Sequence, residues 1–352
     1  MTNKNLQLAK IKKNDEFYTR FEDVQREIDF FLGFNKKMFF GKSILLPCDD
    51  PETSQFAKFF LMNFKKLGLK SLICTSMQKK RASECNPFRE IDFLESWEHG
   101  KCLIVSKDSK SGETCAKYET LNSDGDFRNE EIKRLWGIVD FIITNPPFSL
   151  FREFLEWLVG SKKLFLVIGC LNSVSCKNIF PLFKRNEIWF GLEFLGNNAF
   201  FQTPHERNEV CAKEVFLKNG FVKFRNMAWF TNIEHPYRHK KMELKTMSVN
   251  LEKFKHKRRT NFLYKTYDNY KAIEVPVLEA IPSDYMGVMG VPVSFLNKFC
   301  PEQFEILNAN DYRIKRNEGD VYLDSYYDMV ARPRINGINI YRRIFIKAVK
   351  KL

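Results

Sequence analysis

The chain has no stretch of about 18 uncharged apolar residues, so a membrane span is not expected. Its opening residues, MTNKNLQLAKIKKNDEF, contain no apolar secretory core, and a cytoplasmic protein is the expectation. It has no CxxC and no HExxH. Its nine cysteines are scattered and its histidines number five. That pattern argues against a zinc site or a disulfide framework and for reduced thiols. GxGxxG and GxxxxGK[ST] are missing as well, so neither common phosphate loop is available to a cofactor. Internal repeats and low-complexity tracts are also absent.

What is present is charge and phenylalanine. The 352 residues carry a net charge of +14 and include 35 Phe. A hydrophobic fraction of 44% excludes a wholly disordered chain. The length suits two domains or one large elaborated one. A basic balance concentrates polyanions around a protein, which makes nucleic acid the first candidate partner and an anionic membrane surface the rival. AT-rich coding would also enrich Lys and Phe without any selection for binding. The distribution weighs against that reading. Residues 221–270 hold twelve Lys and Arg against four Asp and Glu, so more than half of the excess lies in one stretch.

Before about residue 180 the chain alternates apolar strands with amphipathic helices. The pattern predicts a helix over Phe21–Leu32 and a buried strand at Ser43–Leu46. SQFAKFFLMNFKKLG reads as a helix stopped by Gly68. LKSLICTS and KCLIVSKD are further strands, with a short helix near 130–136. A strand over Ile138–Ile143 should run into TNPPF, followed by a helix ended by Gly160 and a strand in KKLFLVIGC. This order predicts an α/β fold with a mostly parallel sheet. Residues 1–14 read as a basic flexible arm, 15–220 as a catalytic domain and 221–352 as a recognition region, with a soft boundary in 180–240.

In such sheets ligands bind at the carboxyl ends of strands. Two of those ends are chemically loaded. After the Ile138–Ile143 strand come Asn145, Pro146, Pro147 and Phe148. Two prolines stiffen the backbone there. They would hold the Asn side chain and the Pro146 carbonyl as fixed acceptors for an exocyclic amine, with Phe148 offering a face to a planar base. The other reading is an ordinary strand-ending turn. After Ser43–Leu46 come Cys48, Asp49 and Asp50. Carboxylates there suit a ligand bearing hydroxyls or an ammonium, unless one of them only caps the next helix.

Three weaker clusters complete the set. Asp126–Phe127 could accept from an adenine amine and pack on its ring, or could belong to a turn at Asp124–Gly125. Asp15, Glu16, Phe17, Tyr18 and Thr19 form an acidic-aromatic segment that could be only a helix entry. Trp229 and Phe230 could stack beside nucleic acid or pack in the core. The basic candidates for phosphate contact are Arg238, Lys240, Lys241, Lys255, Lys257, Arg258 and Arg259.

Taken together, DEFYT (15–19), CDDP (48–51), NFKKLGL (63–69), GDFR (125–128), TNPPFSLF (144–151), IWFG (188–191), WFTN (229–232), YDNY (267–270), DYMGVMGVP (284–292), FCPEQF (299–304) and RIFIK (343–347) resemble the EcoRI methyltransferase family over nearly the whole chain. NPPF alone marks amino-methyltransferases in general. YDNY and GVMGVP have no generic catalytic reading and separate this family from the others.

The resemblance implies a Rossmann-like fold that binds S-adenosylmethionine and methylates N6 of adenine in double-stranded DNA. It implies that Asn145, Pro146 and Phe148 hold a flipped-out base. It places Phe17, Tyr18, Thr19, Cys48, Asp49, Asp50, Asp126 and Phe127 at the cofactor, with no metal. CDDP replaces the Gly-rich cofactor motif of most methyltransferases. GAATTC is the first recognition sequence it suggests. A monomer is expected, and a companion restriction endonuclease would share its site without needing to bind. The competing readings are cytosine-N4, RNA-adenine or glutamine-amide methylation, and an inactive DNA-binding relative. A fused nuclease is disfavoured, because no such element stands out and few residues remain to hold one.

Overall fold

The computed structural model describes residues 17–77, 99–108, 112–176, 178–192, 199–202, 216–217, 221–224, 226–255, 260–307 and 332–349. The proposed arm at 1–14, together with Asp15, Glu16, Lys257, Arg258 and Arg259, lies outside them. Two compact units emerge. Unit 1 takes 1–171 and 191–233, and unit 2 takes 172–190 and 234–352.

In chain order, unit 1 starts with β1 (Tyr18–Thr19), α1 (Phe21–Phe34), β2 (Ser43–Leu46), α2 (Gln55–Leu67) and β3 (Ser71–Ser76). It continues with β4 (Lys101–Lys107), β5 (Thr114–Thr120), α3 (Glu130–Arg134), β6 (Phe141–Thr144), α4 (Phe151–Ser161) and β7 (Leu164–Cys170). The chain then gives α5 (Phe180–Lys184) and β8 (Trp189–Phe190) to unit 2. It returns to unit 1 with β9 (Ala199–Gln202), β10 (Phe216–Leu217), β11 (Phe221–Phe224) and β12 (Met227–Thr231).

The strand order in unit 1 is β5-β4-β3-β2-β6-β7-β12. The pairs β3–β2, β2–β6 and β6–β7 are parallel, while β4, β5 and β12 join antiparallel. The sheet is therefore mixed, with parallel pairing confined to its centre. The physical distinction is burial. SILL in β2 and FIIT in β6 are buried at every position, as strands covered on both faces must be. Strand β5, at the edge of the sheet, is exposed throughout.

Local chemistry sets the helices. Ser54 caps α2, its hydroxyl accepting from the N–H groups of Phe56 and Ala57 at 3.1 and 3.3 Å. Gly68 ends it in the left-handed conformation, φ 65°. Between them Phe56, Phe59, Phe60 and Phe64 form one buried face. Each such ring contributes about 1.5–3 kcal/mol of burial.

Two boundaries differ from expectation. Residues 135–138 form a 3-10 turn, and Ile138 is exposed, so the strand before TNPPF begins only at Phe141. Helix α4 runs past Gly160 to Ser161, because Lys162 takes the left-handed cap at φ 56°.

Unit 2 continues with α6 (Met247–Phe254), β13 (Ile273–Glu274), β14 (Met289–Pro292), β15 (Phe304–Leu307), β16 (Arg334–Ile335), β17 (Ile338–Asn339) and β18 (Arg343–Ala348). Its sheet runs β13-β14-β18-β15. Tyr267, Tyr270 and Phe345 centre a small core with Ile335 and Ile340. Beside it the Arg343 guanidinium, 2.5 Å from Glu274 Oε1, satisfies a buried carboxylate that Tyr267 also donates to.

Candidate active site

Strand β2 leads to β3 on one side and, after a crossover, its other neighbour is β6. The strand order reverses between β2 and β6, and their carboxyl ends sit together in the crevice where α/β sheets place ligands. Asp49 follows β2 and Asn145 follows β6.

A direct bond joins the two loops. Thr144 Oγ1 donates to Asp49 Oδ2 at 2.6 Å, and Ser54 Oγ donates to Asp49 Oδ1 at 2.5 Å. The Asp49 N–H donates to the Thr75 carbonyl at 3.1 Å. Burial pushes the Asp49 carboxyl up from its ordinary value to about 7, against the lowering effect of those two hydroxyls. The Cys48 thiol is raised by burial first, and by the nearby charges of Asp49 and Asp126. Two carboxyl groups, Asp49 and Asp126, thus lie close to Cys48 at this strand end.

Asn145 links the loop after β6 to the segment before β1. Its Nδ2 donates to the Phe17 carbonyl at 2.5 Å, which fixes the amide's orientation. Its Oδ1 is buried and has no partner in the protein. A buried, unpaired acceptor costs about 1–3 kcal/mol. Such an atom calls for a donor that a ligand or a bound water can supply. The Phe148 ring lies nearly parallel to Phe17 (5.5 Å between centroids, 13°), and Phe201 and Phe224 meet its edges at 5.5 and 5.6 Å. Pro146 is buried, and Pro147 is half-buried. Tyr18 and Thr19 pair with Gln202 and Phe201 of β9, and Thr19 keeps a buried hydroxyl without a partner.

The remaining cofactor candidates divide. Asp50 is half-buried, and its Oδ1 accepts from the N–H groups of Glu52 and Thr53 at 2.8 and 3.2 Å. It organises the turn before α2, whose cap is Ser54. Asp126 is buried and held by Arg128, with Nε at 2.9 Å and Nη2 at 2.5 Å. Burial raises its carboxyl, but the bonds and charge from Arg128 prevail and keep it below the usual carboxylate value. Phe127 does not present a face. Its ring is buried edge-on to Phe154 and Trp157, at 4.9 and 5.7 Å.

The basic region is also corrected in part. Trp229 and Phe230 are fully buried in β12, tilted against Phe56 and Phe151, so they pack the sheet and have no surface for stacking on DNA. Arg238 is buried as well, bonded to Glu234 and Asn186, and a guanidinium so engaged does not reach a phosphate. Lys240, Lys241 and Lys255 are exposed, Lys255 lying 3.9 Å from Glu252. The sequence reading missed Thr144 and Ser54 as holders of Asp49, and the Phe17 carbonyl as holder of Asn145. Only the adjacency of Thr144 to NPPF hinted at the first.

Residues 5–349 match the family described as "Adenine-specific methyltransferase EcoRI". The chain belongs to this family. Its relatives include the Type II methyltransferase M.EcoRI of Escherichia coli, 36% identical over an alignment 352 positions long that covers 98% of this chain and 97% of that one. M.MpnI of Mycoplasma pneumoniae is 33% identical, covering 96% of each chain. M.MgeORF184P of Mycoplasma genitalium is 32% identical, covering 96% of this chain and 97% of its own. No solved structure matches. Within this EcoRI-type methyltransferase, no group of three or more His, Cys, Asp or Glu could hold a metal among the described residues. No described helix is long and apolar enough to cross a membrane.

Proposed function

We propose that this EcoRI-type methyltransferase transfers a methyl group from S-adenosylmethionine to N6 of a flipped-out adenine in duplex DNA, at a specific sequence, within a restriction-modification system. The observation that carries the reading is the orphaned Oδ1 of Asn145, buried at the switch point of the sheet. It accepts one hydrogen of the adenine amine, and the Pro146 carbonyl accepts the other. Both bonds enrich the nitrogen in electron density and orient its lone pair. One amine proton is released to solvent as the new N–C bond forms.

The residues present fit the cofactor. A sulfonium and an ammonium are cationic, and the strand end around Cys48 is lined by the carboxylates of Asp49 and Asp126. Asp49, Asp50, Asp126, Tyr18 and Thr19 are the residues that would hold it in a Rossmann-like binding mode. When bound, S-adenosylmethionine supplies an electrophilic methyl on a positively charged sulfur. No cysteine takes part, because the amine is itself the nucleophile.

The base must leave the stack to reach Asn145, at a cost of a few kcal/mol. Contact with Phe148 and the two amine bonds offset that cost. Exposed lysines such as Lys240 and Lys241 supply sequence-independent attraction to phosphates.

Single-molecule sequencing of DNA from a methylation-free host expressing this chain tests the reading. N6-methyladenine within one sequence context is expected. A methylated cytosine, or an unmodified genome, overturns it.

A further inference from the structure

The YDNY segment has no place in methyl transfer, yet it makes a dense set of bonds to one short hairpin. Asp268 Oδ1 accepts from the Asn336 N–H at 3.1 Å, and Oδ2 from the Gly337 N–H at 2.8 Å. The Asp268 N–H donates to the Arg334 carbonyl at 2.7 Å. Asn269 Oδ1 accepts from the Arg334 N–H at 2.9 Å, and Nδ2 donates to the Arg332 carbonyl at 3.0 Å. Tyr267 and Tyr270 support it from below, in the core that buries Ile335 and Ile340.

Strands β16 and β17 contribute two residues each, far too few for a hairpin to hold itself in water. Its tip is a tight Asn336–Gly337 turn with both residues left-handed, φ 52° and 76°. The fold therefore spends buried tyrosines and two polar side chains on fixing a ribbon whose opposite side faces solvent. That side carries Arg334 and Asn339, which lie directly opposite each other across the ribbon, with Asn336 at the tip and Tyr341 beyond; all are exposed, Tyr341 at 75%. The stretch 332–343, RPRINGINIYRR, contains four arginines and no acid.

We propose that the Arg334–Asn339 hairpin reads base pairs of the target site in the DNA major groove. This rests on the DNA methyltransferase reading and adds the element that gives it sequence preference. A two-stranded ribbon fits a groove about 12 Å wide. The exposed groups include those that distinguish base edges: the Arg334 guanidinium for guanine O6 and N7, and the Asn339 carboxamide for adenine N6 and N7. The ribbon's own arginines attract the DNA backbone, and the Asp268 carboxylate against its tip is taken up by two N–H groups. Rigid mounting by Asp268 and Asn269 is what such recognition requires, since a donor that wanders does not discriminate.

The test uses full-length Arg334→Ala and Asn339→Ala, both at exposed positions whose backbone bonds survive the change. Methylation kcat/KM is measured on a duplex carrying the site found by sequencing and on duplexes with each base pair of that site replaced in turn. Each variant is expected to lose about 10–100-fold on the intact site. Each should also lose the wild-type penalty at one or two particular base pairs, so that the intact and replaced duplexes become nearly equal there. Thermal unfolding within a few degrees of wild type, and unchanged cofactor binding, exclude a general collapse. An unchanged rate, or an equal loss on every duplex with a shallower salt dependence, overturns the proposal. Wild-type chain that methylates no duplex at all overturns the underlying reading and this one together. Wild-type methylation with unaltered variant preference sinks the hairpin alone.

Discussion

Asn145 lends its amide hydrogen to the backbone oxygen of Phe17, 128 residues earlier in the chain, and keeps its own oxygen unpaired. One half of the amide is used for positioning, and in the proposed mechanism the other receives the substrate amine. Asn145→Ala is therefore expected to lower methyl transfer by about 10³-fold, as loss of a preorganised polar group at a reacting centre does. DNA affinity, measured by gel shift, should stay within about threefold, because phosphate contacts dominate binding. Near-normal turnover by this variant would remove Asn145 from the mechanism.

The stacked pair Phe17 and Phe148 gives a second expectation. Phe148→Ala removes the ring beside Asn145 while leaving the loop backbone intact. A base that loses an aromatic partner forfeits about 1–3 kcal/mol. With 2-aminopurine at the target position, the fluorescence rise that reports flipping should shrink about tenfold or more. An unaltered signal would show that another group receives the base.

Asp49 supplies a pH dependence. Its carboxyl rises from 3.8 to about 7 in the fold, mainly through burial. The folded state then binds a proton more tightly than the unfolded one. Stability from this group is present below about pH 4 and is lost as the pH rises toward 7. Asp49→Asn should abolish that decline, seen as a urea midpoint that no longer falls between pH 5 and 8. The same ionisation should strengthen binding of the cationic cofactor above neutral pH in wild type and leave the variant flat. A parallel pH profile in both proteins contradicts this assignment.

Gly169 in β7 gives a packing expectation. A Cβ built there would lie 2.1 Å from Phe151 Cζ, the ring at the start of α4. Gly169→Ala must displace Phe151, and with it the helix that follows NPPF. The expected cost is about 1–3 kcal/mol, the usual penalty for overpacking, together with a fall in kcat larger than any change in cofactor affinity. Equal melting temperatures for the two proteins would show that the ring yields freely.

The sequence made β2, α2 and the NPPF loop readable because each announces itself locally. Ile44, Leu45 and Leu46 are an unbroken apolar run, Ser54 and Gly68 bracket α2, and two prolines follow a strand. Thr144 and Asp49 are 95 residues apart, and no local pattern joins them. WFTN misled because Trp229 and Phe230 sit next to a basic run, yet they form an antiparallel strand against β7, where pairing decides burial. Phe127 misled for a similar reason. Its neighbour Asp126 faces the crevice region while the ring turns into the cluster of Phe154 and Trp157.

The acidic strand end has one more consequence. Cells are crowded with adenine nucleotides bearing di- and triphosphates, which share their base and ribose with S-adenosylmethionine. A glycine-rich turn of open backbone amides would welcome those anions. Here the turn after β2 carries Asp49 and Asp50 instead, with Asp126 close to Cys48. On the proposed S-adenosylmethionine reading, acids at this turn disfavour polyphosphates and favour a cationic donor, so the sign of the ligand's charge would separate the two.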